Sequence, residues 1–195
     1  MMLVRSPARP RVLLVRPGAT EFDDQGRIKG SLDMPLSDHG KQQVSALAEE
    51  LASIRLKTIY SAPAESAVYT AERLAKPRDL KVKVVDGLRN VDHGLWHGKL
   101  IEEVKRNQPK VYRCGIDSPD EVCPPNGESI RDARARVLKS LRKLVRKGRD
   151  EVIALVIPDP MATVVQSVLS GDELCDLWKS ETDHGDWQLI EPNFS

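Results

Sequence analysis

The sequence has few aromatic residues, little net charge and no long apolar run. Phe, Trp and Tyr make up 4% of its 195 residues, which argues against an aromatic surface for stacking nucleic-acid bases. Its 30 basic and 29 acidic side chains give a net charge of +1, so no overall field attracts nucleic acid or an anionic membrane. The longest apolar run, VIALVI, is far shorter than the roughly 20 residues that span a bilayer. We therefore expect neither a nucleic-acid partner nor a membrane association.

Cysteine is also scarce. The three cysteines, Cys114, Cys123 and Cys175, do not have the spacing of a metal-ligand set. An odd number of unpatterned cysteines is typical of free thiols in a reducing compartment. The first residues, MMLVRSPARPR, lack the sustained apolar core of a signal peptide. The sequence thus predicts a cytoplasmic protein with no metal or other cofactor.

Short apolar segments alternate along the chain with segments of helical periodicity. Buried strands that alternate with helices predict an α/β fold with a largely parallel central sheet and helices on both faces, a three-layer α/β/α sandwich. We assign residues 1–10 to an N-terminal extension and residues 11–195 to a single domain. The predicted strands are RVLLV, KTIYS, KVKVV, EVIALVI and DWQLIE.

Several helix boundaries carry local signals. Ser37 precedes an apolar pattern and is a suitable N-cap for the first long helix. Apolar residues recur at helical spacing in RDARARVLKSLRKLVRKGR, which favours a helix with one core face and one solvated basic face over a polyanion site. The proline-rich segment 109–127 predicts a long irregular crossover.

Six segments of the chain match, in order, the motifs of one known family. They are LVRPGAT, GRIKGSLDMPLSDHGKQQ, YSAPAESAVYTAERLA, LRNVDHGLWHG, NGES and ALVIPDPMATVVQSVLSG. Together they resemble the histidine phosphatase superfamily, also called phosphoglycerate mutase-like. In such enzymes a first histidine attacks the phosphoryl group, two arginines and a second histidine hold its oxygens, and a carboxylic acid protonates the leaving oxygen. The resemblance implies the phosphoglycerate mutase-like fold.

The chain departs from that family at most of the catalytic positions. The resemblance places Pro17 at the nucleophilic histidine, Ser66 at the second arginine, Asn90 at the acid and Pro158 at the second histidine. A shift of one residue places Asp159 there instead of Pro158. Proline has no nucleophilic side chain, and an amide does not donate a proton usefully at neutral pH. The sequence therefore predicts no catalytic residues at these degenerate positions.

Two residues of the phosphate site remain. Arg16 is retained, and Arg16 and Thr20 are candidates for residual anion binding. Asp23 stands where the family usually has a phosphate-contacting asparagine, and Asp159 adds a second carboxylate. The alternative that we favour for Arg16 is an ion pair with Asp23 or Asp159.

Other chemistries have weaker support in the sequence. His93 and His97 flank Trp96 in DHGLWHG, beside the expected cleft. Histidine and carboxylate side chains ligate Zn²⁺, but the glycines indicate a loop rather than a helix face, so a solvated or hydrogen-bonded role is favoured over a metal site.

Two classes of function follow. The first is a catalytically inactive histidine-phosphatase-fold protein, a pseudoenzyme with a binding or scaffolding role, whose partner is an unknown protein or small-molecule ligand. The alternative is a phosphoric monoester hydrolase, or a phosphoglycerate mutase-like enzyme, with residual or relocated activity. Because the nucleophile, the acid and the second histidine are absent together, the sequence favours the pseudoenzyme. The fold is compatible with a homodimer.

Overall fold

A five-stranded sheet runs through the centre of the protein, with the strand order β3-β2-β4-β1-β5. The computed structural model describes residues 10–148, 151–174, 176–180 and 184–193. Strands β1 to β4 are mutually parallel where they pair, and β5 is antiparallel to β1. All five predicted strands are confirmed. Their bounds are β1 Arg11–Val15, β2 Thr58–Ser61, β3 Val82–Val84, β4 Val152–Val156 and β5 Trp187–Ile190.

Helices cover both faces of this sheet, which confirms the predicted three-layer α/β/α architecture. The crossovers β1–β2 and β2–β3 move in one direction along the sheet and β3–β4 moves back, so right-handed connections place α2 and α3 on one face and α6 on the other. Helix α7 packs against α6. The helices are α1 Glu21–Asp24, α2 Asp38–Glu50, α3 Glu65–Ala75, α4 Ile101–Asn107, α5 Pro109–Asp117, α6 Ile130–Gly148, α7 Met161–Ser170 and α8 Leu177–Ser180.

The core lies on both sides of the two central strands, β1 and β4. All five residues of β4 are buried, as are the last four of β1, which explains their continuous apolar sequences. Helix α6 contributes Ile130, Val137 and Leu141 to this core, and none of these three residues has exposed surface. Its basic residues lie mostly on the opposite face, so the predicted core-facing helix is confirmed.

The prediction of an irregular crossover over residues 109–127 is wrong for its first half, which forms α5. Pro109 stands in the first turn of this helix, where the missing N–H of proline costs nothing. Trp178 then packs on the helix and donates its indole N–H to the Tyr112 carbonyl oxygen at 2.8 Å. The tertiary contact with a distant tryptophan was not visible in the local sequence.

Two sequence predictions fall partly outside the described residues. The N-terminal extension over residues 1–10 lies there except for Pro10, and so does Cys175. Cys114 and Cys123 are free thiols. Within the described part of the chain, no helix is long and apolar enough to cross a membrane.

Ser37 caps α2, as the sequence predicts, and also ties the helix to the loop after β1. Its side chain accepts a hydrogen bond from the Gly40 amide at 3.1 Å and donates one to the Ala19 carbonyl oxygen at 3.3 Å. We expect Ser37→Ala to lower the free energy of unfolding by about 1 kcal/mol through loss of the cap, as measured by urea denaturation. Ser45→Ala, in the exposed middle of α2, is the control; an equal loss there would contradict the capping role.

Candidate active site

Arg16 directly follows β1, at the carboxyl edge of the sheet, and is 5% exposed. Its Nε donates a hydrogen bond to Oδ2 of Asp159 at 2.5 Å, and Nη2 donates to Thr163 and Gln166, each at 3.3 Å. Of the two ion-pair partners considered from the sequence, the structure therefore brings Asp159 to Arg16. Among the described residues Nη1 has no hydrogen-bond partner, which leaves its two N–H donors for an anion.

Asp159 follows β4, the neighbour of β1, so the two parallel strands deliver the ion pair to the same edge. Its other oxygen, Oδ1, accepts hydrogen bonds from the Thr163 amide at 3.0 Å and hydroxyl at 2.8 Å. Complete burial raises the pKa of Asp159 to about 6, against the lowering effects of the Arg16 charge and the Thr163 hydrogen bonds. The burial prevails because the carboxylate exchanges all of its hydration for a few protein donors. Asp159 can therefore carry a proton near neutral pH.

A second buried ion pair lies in the loop after β1. Asp23 Oδ2 accepts from the Lys29 ammonium at 2.6 Å, the Thr20 amide at 2.7 Å and the Thr20 hydroxyl at 2.8 Å. The Lys29 and Asp23 side chains are only 4% and 1% exposed. Thr20, predicted to bind an anion, thus donates its amide and hydroxyl to Asp23. The pair brings a buried cation to this edge of the sheet together with its counter-charge.

The sequence did not single out Lys29, although a signal was present. The matched motif has the pattern G-R-x-Q-G, and this chain has GRIKG, so a lysine replaces a neutral glutamine in a loop that leads to the cleft. Because Asp23 also stands where the family has a neutral asparagine, the two replacements introduce an ion pair without a change in the net charge of the site.

His184 reaches the same edge by strand pairing. Strand β5 lies antiparallel to β1 with Val15 opposite Trp187, and two further backbone hydrogen bonds continue the ladder. The Arg16 amide donates to the Asp186 carbonyl oxygen, and the Gly185 amide to the Pro17 carbonyl oxygen, each at 2.8 Å. His184 therefore lies beside the Pro17 segment, with Nε2 3.6 Å from Oδ1 of Asp23. The sequence does not predict this position, because local patterns do not show the register of a distant antiparallel strand.

Asn90 holds the loops of the site together. Its side-chain amide donates to the carbonyl oxygens of Gly30 at 2.9 Å and Asp159 at 2.7 Å, and its oxygen accepts from the Met161 amide at 3.1 Å. These three hydrogen bonds connect the loop before α2 to the start of α7. An amide in the position of the family's acid is therefore bonded to backbone groups on three sides.

The remaining degenerate positions are buried. Pro17 and Pro158 lie in the loops after β1 and β4, and Ser66 lies in the first turn of α3 with 1% of its surface exposed. The Pro158 carbonyl oxygen accepts a hydrogen bond from the Ala162 amide at 3.0 Å, so Pro158 begins the turn into α7. The two prolines carry neither a nucleophile nor an acid. Of these three residues, Ser66 alone has a side-chain group, its hydroxyl, that could act in phosphoryl chemistry.

His93 and His97 lie at the same side of the molecule, against Gly30. A Cβ added to Gly30, which has φ +52°, would lie 2.7 Å from His97 Nε2 and 2.8 Å from a His93 ring carbon. His97 Nε2 lies 3.7 Å from an Asp92 oxygen. Across the described ranges, no three His, Cys, Asp or Glu side chains are grouped so that they could hold a metal ion.

Named relatives match most of the chain. Phosphoserine phosphatase 1 of Hydrogenobacter thermophilus is 31% identical over 92% of this chain and 85% of its own length. Glucosyl-3-phosphoglycerate phosphatase of Mycolicibacterium vanbaalenii is 30% identical over 83% of this chain and 74% of its own length. The solved structure of a mycobacterial glucosyl-3-phosphoglycerate phosphatase in complex with VO3 superposes with a TM-score of 0.81 and 25% identity, covering 93% of this chain and 92% of the other.

These relatives overturn the main functional prediction. The residues at Pro17, Ser66, Asn90 and Pro158 led to the expectation of an inactive pseudoenzyme, but relatives that align over most of the chain are named phosphatases. That prediction is wrong, and the alternative of a phosphatase is favoured. The physical reason is that the prediction rested on the loss of the aligned catalytic side chains, whereas the fold also brings Lys29 and His184 to the edge of the sheet that holds Asp159.

The family itself follows from the length of the match. A sequence model of the histidine phosphatase superfamily (branch 1) matches residues 12–193, which span β1 to the residues after β5. The observed sheet and its covering helices also match those of the solved relatives. This chain belongs to branch 1 of the histidine phosphatase superfamily.

Proposed function

We propose that the protein is a phosphoric monoester hydrolase that uses relocated catalytic groups. The observation that carries the proposal is the pair of buried cations, Arg16 and Lys29, at the carboxyl end of β1 and in the loop that follows it. Fixed cationic donors stabilise the phosphoryl oxygens as charge moves between them during transfer. The phosphatase names of the relatives support the same reaction class.

The side chains at this edge supply a route that does not use position 17. His184, beside Asp23, accepts a proton from a water molecule as the water oxygen bonds to phosphorus. The ester P–O bond breaks, and the leaving oxygen takes the proton of Asp159, whose pKa of about 6 suits a general acid near neutral pH. Solvent then removes the proton from His184 and returns one to Asp159, so that the cycle closes.

Protonation of Asp159 also changes what Arg16 can bind. While Asp159 is ionised, its carboxylate occupies Nε of the guanidinium at 2.5 Å. The neutral acid holds the guanidinium less strongly, because a charge-assisted hydrogen bond becomes an ordinary one. A phosphate then competes more successfully for Arg16, so substrate binding and the supply of the acid proton depend on the same group.

The substrates that we propose are small phosphomonoesters, and phosphoserine is the first to test because of the relative named for it. We also propose that the protein works in the cytoplasm, where Cys114 and Cys123, both free, remain reduced.

We expect the purified protein to release inorganic phosphate from p-nitrophenyl phosphate and from phosphoserine above a no-protein control. The value of kcat/KM rises as the pH falls from 8 towards 6, because the fraction of protonated Asp159 increases. Colorimetric phosphate release over this pH range measures both effects. Asp159→Asn is the control, since its amide does not titrate and the rise should be absent. No release above the control at any pH would refute the proposed function.

A further inference from the structure

A cavity lies at the opposite end of the sheet from the candidate active site. Its walls are the first residues of β1 and β4 and the segments that precede β2 and β3. Its volume of about 620 Å³ lies within the range of small-molecule sites, roughly 300–1,000 Å³. Amino ends of parallel strands are remote from the carboxyl ends, so a ligand here does not touch Arg16 or Asp159.

The charges around this cavity are mostly positive. Its lining includes four basic residues, Arg11, Arg55, Lys57 and Arg78. Among the described residues, the one carboxylate in the lining is that of Glu151. Lys57 and Glu151 form an ion pair at 2.8 Å with both side chains more than half exposed, and such exposed pairs are weak. Within the described chain the side chains of Arg11 and Arg55 form no hydrogen bond or ion pair, and both residues are exposed.

Arg78 is held in a fixed position at the wall of the cavity. Nη1 donates to the Leu74 carbonyl oxygen at 2.7 Å, Nε to the Ile54 carbonyl oxygen at 3.3 Å, and Nη2 to the Leu51 carbonyl oxygen. These bonds satisfy carbonyl groups where the helical turns end. They also remove much of the negative partial charge that those carbonyl groups would present to an anionic ligand.

Apolar side chains complete the lining. Ile54, Leu56, Leu80 and Val152 contribute to the walls, and Val152 is 7% exposed. A site that combines apolar walls with a few charged groups binds ligands that have both characters, since the apolar part supplies affinity and the charges fix orientation.

We propose that this cavity binds a small organic anion, with a phosphate or carboxylate head that pairs with Arg55 and Arg11 and an apolar body against Leu56 and Leu80. The site is separate from the phosphatase centre and does not depend on the reaction proposed there. A guanidinium group forms favourable bidentate pairs with a phosphate and with a carboxylate. Geometry therefore does not choose between the two head groups, and an experiment has to distinguish them.

Isothermal titration calorimetry with phenylphosphonate tests the proposal, because its C–P bond is not an ester that a phosphatase hydrolyses. We expect saturable binding that Arg55→Glu weakens about 10–100-fold, since a hydrogen-bonded charged contact contributes roughly 1.5–3 kcal/mol. Arg131→Glu, an exposed position in α6, changes the net charge equally and should leave the affinity within about twofold. Arg55→Gln, which keeps a polar side chain, should show an intermediate loss, and circular dichroism checks the fold of each variant.

Three further ligands identify the groups that are recognised. Benzoate tests a carboxylate head, inorganic phosphate a head without a body, and benzyl alcohol a body without a charge. Tighter binding of phenylphosphonate or benzoate than of both inorganic phosphate and benzyl alcohol supports the proposal and names the head group. Failure of both anions to bind, or equal weakening by the Arg55 and Arg131 variants, would overturn it. Loss of binding in Arg16→Met but not in Arg55→Glu would place the ligand in the phosphatase cleft and also overturn it.

Discussion

We expect Arg16→Met to lower the free energy of unfolding by about 3–5 kcal/mol at pH 8, because it leaves the completely buried Asp159 without its counter-charge. The double variant Arg16→Met, Asp159→Leu should recover most of that loss, since an apolar pair of similar volume needs no compensation. Urea denaturation of the two variants and the unaltered protein measures both values. A double variant as unstable as the single one would contradict this account of the pair.

The pH dependence of these measurements follows from the direction of the pKa shift. Burial raises the pKa of Asp159 from 3.8 to about 6, so the folded state binds its proton more tightly than the unfolded chain. The resulting stability is fully present below about pH 4 and is lost as the pH rises through about 6. Removal of the Arg16 charge raises this pKa further. The deficit of Arg16→Met should therefore shrink between pH 8 and pH 5, and a deficit that stays constant would show that Asp159 is not its cause.

We expect His184→Ala to reduce kcat for p-nitrophenyl phosphate by about 10²–10⁴-fold, the usual contribution of a general base. The backbone of its neighbour Gly185 bonds to Pro17, where the family's nucleophile is absent, and its Nε2 lies 3.6 Å from the Asp23 carboxylate. Steady-state kinetics measure the loss, and the melting temperature shows whether the fold is intact.

His39→Ala is the matched control for this experiment. His39 also pairs with a carboxylate, Asp24, at 3.0 Å, but 61% of its side chain is exposed. Its removal should leave kcat within about twofold. Activity that survives in His184→Ala would refute the role of His184 without affecting the proposed reaction class, whereas equal losses in both variants would indicate a general effect of histidine removal.

The sequence predicted the features of the fold that depend on local patterns. Strand β4 is an unbroken apolar run because it is buried on both faces, and Ser37 was recognisable because an N-cap depends on a few neighbouring residues. Helix α5 was missed because its stability depends on packing against Trp178, more than 60 residues away along the chain. Local patterns do not carry such contacts.

The candidate site was only partly predictable for the same reason. The position of Arg16 followed from the end of the first strand, and its pairing with Asp159 was one of two alternatives. His184 depends on the register of β5 against β1, and the buried state of Lys29 depends on Asp23 and the Thr20 backbone. Motif comparison identifies residues that stay at their usual positions, and it misses side chains that the fold delivers from elsewhere.

Strand β5 lies at one edge of the sheet and, among the strands that the structure describes, pairs with β1 alone. Edge strands with one neighbour open by local fluctuation at a lower free-energy cost than the central parallel strands. Because the segment that ends at this strand holds His184 beside Pro17, fraying of β5 would separate the proposed base from the cations while the rest of the sheet stayed folded. The thermal limit of activity would then be set by detachment of one short strand rather than by global unfolding, so that inactivation precedes loss of the core.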